Sequence, residues 1–363
     1  MGEFDYDHAV VGGGIVGSWT ALQLVRAGKK VLLLEQFSHP HTRGSSHGET
    51  RIIRSGYAEP FFCEMMSHAL RMWSELEVET GNKLMENIGF LCIANLDTTD
   101  PRIESLFSRL LNYDKIHGVL MDNSGGILRA QKAVLAIQAL FRERGGDQWD
   151  NCQVLKIEPV DDASVKLFLE PQKVVTAKSV VVCAGAWTQK LLSPFLTLPV
   201  QASAVRVYYW KAKEKGAYSE KSGFPCLIDI TEPHIYALPS YEYPGLVKIC
   251  LHGGVNCDPD ARDKSPQDPK LERRLKDYVR EHFPLLEPEP SIVEVCMYTS
   301  TPDEIFLIDA VPDHKNIIIG TGFSGTGFKT SPVVGKLLSQ MAMGTQPFLD
   351  ITPFQLSRFK HFK

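Results

Sequence analysis

The chain of 363 residues is long enough for a large core, and at ~150 residues per domain it favours two domains. Its 44% hydrophobic and 23% charged residues are the balance of a folded globular protein, not of a disordered one. A net charge of -4, from 39 basic and 43 acidic residues, excludes a global attraction to nucleic acid or anionic membrane, and no apolar run reaches the ~20 residues that span a bilayer.

Residues 1 to 9 are acidic and polar, and glycines interrupt the apolar run that follows, so no secretory signal is read. The eight cysteines, at 63, 92, 152, 183, 226, 250, 257 and 296, include no CxxC and no zinc-like spacing. An intracellular protein with reduced thiols and no metal is expected.

The first unit is "YDHAVVGGGIVGSWTALQLVRAGKKVLLLE" (6–35). It predicts a strand at His8 to Val11, an apolar-striped helix from Val16 to Ala27 closed by Gly28, and a buried strand at Val31 to Leu34 ending in Glu35. Gly12, Gly14 and Gly17 form G-x-G-x-x-G after a strand and before a helix. The glycines permit a tight turn and a close approach of backbone to pyrophosphate, the helix N-terminus stabilises its charge, and Glu35 is placed for ribose hydroxyls. A bare glycine turn tightening a βα joint would not need Glu35. The unit alone is compatible with NAD or FAD.

The loop "HTRGSSHGETRIIR" (41–54) is rich in donors, with Ser45, Ser46, His47, Arg51 and Arg54. It reads either as a solvated turn or as a segment wrapped along a flavin and its substrate. Helical spacing at 62, 65, 66, 69, 70, 73 and 76 predicts a helix from Phe62 to Glu79 with Gly81 as its stop, and the methionines at 65, 66 and 72 read as core. A second helix is expected over Ala130 to Arg144. "SVVVCAGAW" (179–187) reads as a buried strand entering a glycine turn. Alternating segments with Pro and Gly breaks between 200 and 300 predict an antiparallel sheet. "NIIIGTG" (316–322) reads as a strand, and "FSGTGFKTSP" as a glycine loop into a helix with Ser331 as N-cap, Pro332 first and Gly344 as stop.

The N-terminal unit, "SSHGETRIIR", "CAGAW", "CMYT" and "GFSGTGFK", in that order and at about those separations, resemble the monomeric sarcosine oxidase family of flavoproteins over nearly the whole chain. "DNSGG", "EYPGLVK" and "TPDE" favour its peroxisomal branch. The resemblance implies an α/β fold: an FAD-binding Rossmann-like domain (1–85, 124–198 and 300–363) and an α+β substrate domain with a large antiparallel sheet (86–123 and 199–299). It implies oxidation of a secondary amino acid such as sarcosine or L-pipecolate at the C–N bond, with oxygen reduced to hydrogen peroxide, by a monomer.

By family position, Cys296 is bonded through sulfur to the FAD 8-methyl group; a small buried hydrophobe is the other reading of that residue. Arg54 and Lys329 would bind the substrate carboxylate, with Tyr236 and Tyr298 beside the substrate. His47 and Arg51 would line the flavin ring, Lys248 would stabilise superoxide as it forms, and His252 would lie near it. Gly12, Gly14, Ile15, Val16, Gly17, Glu35, Gln36, Arg43, Ser45, Ser46, Thr50, Arg51, Val154, Ala184, Gly185, Trp187, Gly322, Gly325, Thr326, Gly327 and Lys329 complete the implied cofactor contacts. A flavin dehydrogenase serving a carrier protein and a relative without catalysis remain as alternatives.

Three departures stand out. Thr326 replaces the family's histidine in the glycine loop; a hydroxyl can hydrogen-bond but cannot carry charge. The chain is shorter than the family near 113–120. It ends His361, Phe362, Lys363, which is not an S-K-L type import signal.

Overall fold

The computed structural model describes residues 4–94, 119–161, 163–231 and 233–359. The shortened segment and the C-terminal tripeptide discussed above lie outside the described residues, apart from the strand beginning at Val119. Helices are labelled in chain order: α1 (Ile15–Arg26), α2 (Pro60–Thr80), α3 (Ala130–Glu143), α4 (Thr188–Leu192), α5 (Pro269–His282) and α6 (Gly327–Ala342).

An eight-stranded sheet carries the N-terminal unit. Strand Tyr6–Val11 lies between Val31–Leu34 and Lys173–Val182, all parallel, and His314–Thr321 extends the parallel set beyond 173–182. Side chains alternate between two cores. Val10, Leu33, Val181 and Ile318 pack under α1, α2, α3 and α6. Ala9, Val11, Leu32, Leu34, Val180, Val182, Ile317 and Ile319 pack on the other face, with a hairpin from strands Gln153–Asp161 and Ser164–Glu170. Burial on both faces explains why these strands read as unbroken apolar runs.

The second eight-stranded sheet runs through residues 201–256 and 286–300 and takes in Phe90–Ile93 and Val119–Asp122. It is antiparallel except where Cys226–Asp229 runs parallel to Phe90–Ile93. Alternation again assigns two faces. Tyr208, Trp210, Val247 and Ile249 pack against Leu275, Tyr278 and Val279 of α5. Val207, Tyr209, Lys248, Cys250 and Cys296 face the other way, toward a cavity.

Most predicted ends hold. Gly28, Gly81 and Gly344 all take positive φ just beyond α1, α2 and α6. The start of α6 is a correction: it begins at Gly327 with Thr326 as N-cap, so Ser331 is not a cap and Pro332 lies inside the helix. Pro332 has no N–H for the Phe328 carbonyl, and the Ser331 hydroxyl donates to that carbonyl at 2.7 Å instead. All eight cysteines are free thiols. Among the described residues no helix is long and apolar enough to cross a membrane.

Candidate active site

The cavity between the two sheets, about 630 Å³, runs from Glu35 at one end to Lys329 at the other. At the Glu35 end, Gly12 sits at φ +106°, and a Cβ there would stand 2.4 Å from the Cys183 carbonyl oxygen. Glu35 is buried, and its carboxylate accepts the backbone N–H groups of Gly13 at 2.9 Å and Phe37 at 3.0 Å. Burial alone would raise its pKa; His41 and those two N–H groups together hold it below the usual range. Ser46 Oγ accepts the Ile15 N–H at 3.0 Å, tying the basic loop to the start of α1.

Arg51 organises that loop through its carbonyls: its guanidinium donates to Thr50 at 2.6 Å, Ser45 at 2.8 Å and His47 at 2.5 Å. The Ser45 hydroxyl donates to the Met297 carbonyl at 2.7 Å, joining the loop to the strand that carries Cys296. His47 donates from Nδ1 to the Gly44 carbonyl, and burial drops its pKa to about 4.

At the far end, strand Thr50–Ile53 delivers Arg54, and α6 delivers Lys329 from its first turn. Trp73 of α2 fixes that turn by donating Nε1 to the Lys329 carbonyl at 3.0 Å. Among the described residues Lys329 Nζ hydrogen-bonds only to the Gly325 carbonyl, at 3.4 Å; burial, then Arg54 and Arg51, lower its pKa to about 7. Arg54 lies 3.9 Å from the Tyr57 ring centroid, with its buried Nε unpartnered. Among the described residues no carboxylate pairs with Arg54 or Lys329, so buried Lys329 and half-buried Arg54 share a cavity without a counter-ion. That arrangement is built for an anion.

Tyr236, Tyr298 and His252 line the same end. Burial first, then neighbouring Cys groups, pushes both phenols above their ordinary pKa, and burial with Lys329 and Arg54 lowers that of His252. His252 stacks on His234 at 4.6 Å between ring centroids. Cys296 is buried on the same sheet face as Tyr209 and Val207. Lys248 is 6% exposed and lines the cavity from its strand.

Of the residues expected from sequence, Gly14, Ile15, Val16, Gln36, Ser45, Ser46, Thr50, Val154, Ala184, Gly185, Trp187, Gly325, Thr326 and Gly327 also line the cavity. Three residues expected at the cofactor do not line the cavity. Gly17 lies behind the turn, packed on the Gly12 carbonyl. Arg43 turns its side chain away to Asp263. Gly322 sits in a φ +71° turn against Thr301. Thr326 lines the cavity, but its hydroxyl donates to the Phe323 carbonyl at 2.8 Å, so its proton is used within its own turn.

Sequence reasoning missed Gln138, which donates to the Gly13 carbonyl at 2.8 Å from the buried side of α3. A lone amide beside the apolar stripe of that helix was the available signal. It also missed Glu242, Tyr209 and the Glu35, His39 and His41 group, whose ligand-capable atoms lie within 4.8 Å of one another. Glu242 stands inside "EYPGLVK", where no spacing rule marks it.

The profile of the FAD-dependent oxidoreductase family matches residues 7–341, and the chain belongs to that family. The residues fit the cofactor: Gly12 and Gly14 present bare backbone to the cavity at the start of α1, and the cavity has the size of a ligand site. Within the family its relatives include sarcosine oxidases. Peroxisomal sarcosine oxidase of Mus musculus is 41% identical, covering 98% of this chain and 96% of that protein. The Homo sapiens protein of the same name is 40% identical over the same shares. Monomeric sarcosine oxidase of a Bacillus species is 34% identical, covering 97% of this chain and 96% of that protein. Among solved structures, NikD, an unusual amino acid oxidase, superposes with a TM-score of 0.82 at 20% identity, covering 96% of this chain and 97% of that one. That likeness concerns the fold.

Proposed function

We propose that the chain is an FAD-dependent oxidase of secondary amino acids, with sarcosine and L-pipecolate as leading substrates. When bound, FAD accepts two electrons from the C–N bond and delivers them to oxygen, giving an imine that water hydrolyses and hydrogen peroxide. The observation that carries this reading is a pair of cations, buried Lys329 and half-buried Arg54, that no carboxylate among the described residues pairs, in a cavity that begins at a dinucleotide turn. The substrate carboxylate supplies the missing counter-ion, and Tyr236 and Tyr298 flank it.

Glu35 takes the ribose hydroxyls, and the turn at Gly12 and Gly14 takes the pyrophosphate. His47 and Arg51 border the ring, and the uncapped start of α6 offers N–H groups to negative charge near it. Lys248 supplies the cation on the oxygen side. Cys296 is the covalent anchor; its burial on the cavity face supports that role. Residues 1–85, 124–198 and 300–363 form the cofactor-binding part, and 86–123 with 199–299 the substrate part. The chain works as a monomer, and relatives named as peroxisomal support that location.

Acid precipitation of the purified protein tests the anchor: yellow colour stays with the wild-type pellet and leaves with the supernatant for Cys296→Ser. Colour in the wild-type supernatant rejects the covalent link. Peroxide formed from sarcosine or L-pipecolate in air tests the reaction; substrate oxidation without peroxide favours a dehydrogenase.

A further inference from the structure

Behind the part of the cavity wall formed by Lys248, Thr50 and Tyr209 stands a carboxylate with no part in the reading above. Glu242 Oε1 accepts the Lys248 ammonium at 2.5 Å, the Thr50 N–H at 3.1 Å and the Thr50 hydroxyl; Oε2 accepts the Tyr209 hydroxyl at 2.5 Å. The Lys248 and Glu242 side chains are 8% and 7% exposed. A buried ion pair is weak as a stabiliser, because desolvating two charges offsets their attraction and a packed apolar pair does as well. Such a pair therefore calls for a role other than stability.

The geometry supplies one. Besides Glu242, Lys248 Nζ reaches only Thr50 Oγ1, at 3.4 Å. Thr50 belongs to the strand leaving the basic loop and Tyr209 to the strand beside Lys248, so the carboxylate is fastened from both sides. We propose that Glu242 is a positioning residue for the oxygen half of the reaction, holding the Lys248 ammonium charged and aimed into the cavity. This rests on the reading of Lys248 as the oxygen-side cation.

The other titratable groups facing Lys248 cannot do this. They are Tyr209 on the neighbouring strand, with its ring centroid at 5.5 Å, His47 from the basic loop, and the thiols of Cys226 and Cys250. Burial pushes His47 down to about 4, and pushes Tyr209, Cys226 and Cys250 up, so all four stay uncharged near neutrality. Glu242 accepts from Lys248 directly, whereas Glu294 is reached only through the Tyr209 hydroxyl, at 3.3 Å.

The test compares wild type, Glu242→Gln, Lys248→Met and the double variant as holoenzymes, in two measurements from about pH 6 to 10. The first is the second-order rate of reoxidation of the reduced enzyme by oxygen. Lys248→Met is slow throughout and wild type stays faster at every pH. Glu242→Gln leaves a buried lysine without its carboxylate, which lowers its pKa, so its rate falls by roughly tenfold per pH unit above the new value until it meets that of Lys248→Met.

The second measurement is the melting temperature, which needs no turnover. A lysine whose folded pKa lies below its unfolded value of ~10.4 leaves more protons on the unfolded chain between the two, so stability rises with pH in that window. Relative to the double variant, Glu242→Gln should gain melting temperature toward alkaline pH while wild type does not. A Glu242→Gln enzyme that stays level in both measurements overturns the proposal. Lys248→Met with an unchanged oxygen rate would instead overturn the reading of Lys248, and the melting curves would still report on the pair.

Discussion

Lys329 shows what a single residue gains from its place. On a surface helix it would be an ordinary cation; beside Arg54 and Arg51 in a buried first turn its pKa is about 7. Its charge is therefore held less firmly than that of a surface lysine until an anion arrives. For a carboxylate inhibitor without an amine, the dissociation constant measured by flavin absorbance should rise up to tenfold per pH unit above about pH 7. Lys329→Met should remove that slope and weaken binding at pH 6 by roughly 10- to 100-fold, the worth of a charged hydrogen bond. The candidate residues were legible in sequence as a set of motifs, but their chemistry was not. Whether Lys248 pointed outward or inward depended on which sheet face was covered, and local alternation leaves that open.

At the scale of elements, two features are quantitative. Ser331 restores the hydrogen bond that Pro332 denies to the Phe328 carbonyl, so Ser331→Ala should cost about 1 kcal/mol in chemical denaturation. Gly335 of α6 faces α1 so closely that a Cβ would lie 2.6 Å from the Trp19 Cβ. Gly335→Ala should push the two helices apart, lowering the melting temperature by several degrees and reducing flavin content, since both helices start at the cavity. Helix ends marked by glycine were readable because positive φ is a local demand. The start of α6 misled because Ser-Pro is a strong local signal for a helix start, and tertiary packing of Phe328 and Trp73 extended the helix past it. The hairpin 153–170 left no local trace in the reading, because its strands are recognisable chiefly by the sheet they complete.

For the whole molecule, the cavity wall is assembled from segments as distant as Gly12 and Lys329. Folding and cofactor capture are therefore linked. Cys296→Ser, which binds FAD reversibly on the proposed reading, should melt higher as FAD is added, by about 2.7 kcal/mol at a hundredfold excess over the dissociation constant, whereas the wild-type melting point should not respond. The two-sheet plan was legible, since βαβ and alternating patterns are local. The route by which the sheets meet was not: Trp187 and Lys190 pair with Asp260, and Arg43 with Asp263, contacts that join residues far apart in the chain.

Arg51 grips the carbonyls of Ser45, His47 and Thr50, groups that every amino acid possesses. The path of the basic loop is thereby set in large part by one guanidinium and the main chain, with the Ser45 and Ser46 hydroxyls fastening it to its neighbours. Over evolutionary time such a loop can exchange what it shows to the cavity while keeping its course. A family built this way can change the amine it accepts by single substitutions, without first reinventing the scaffold that presents them.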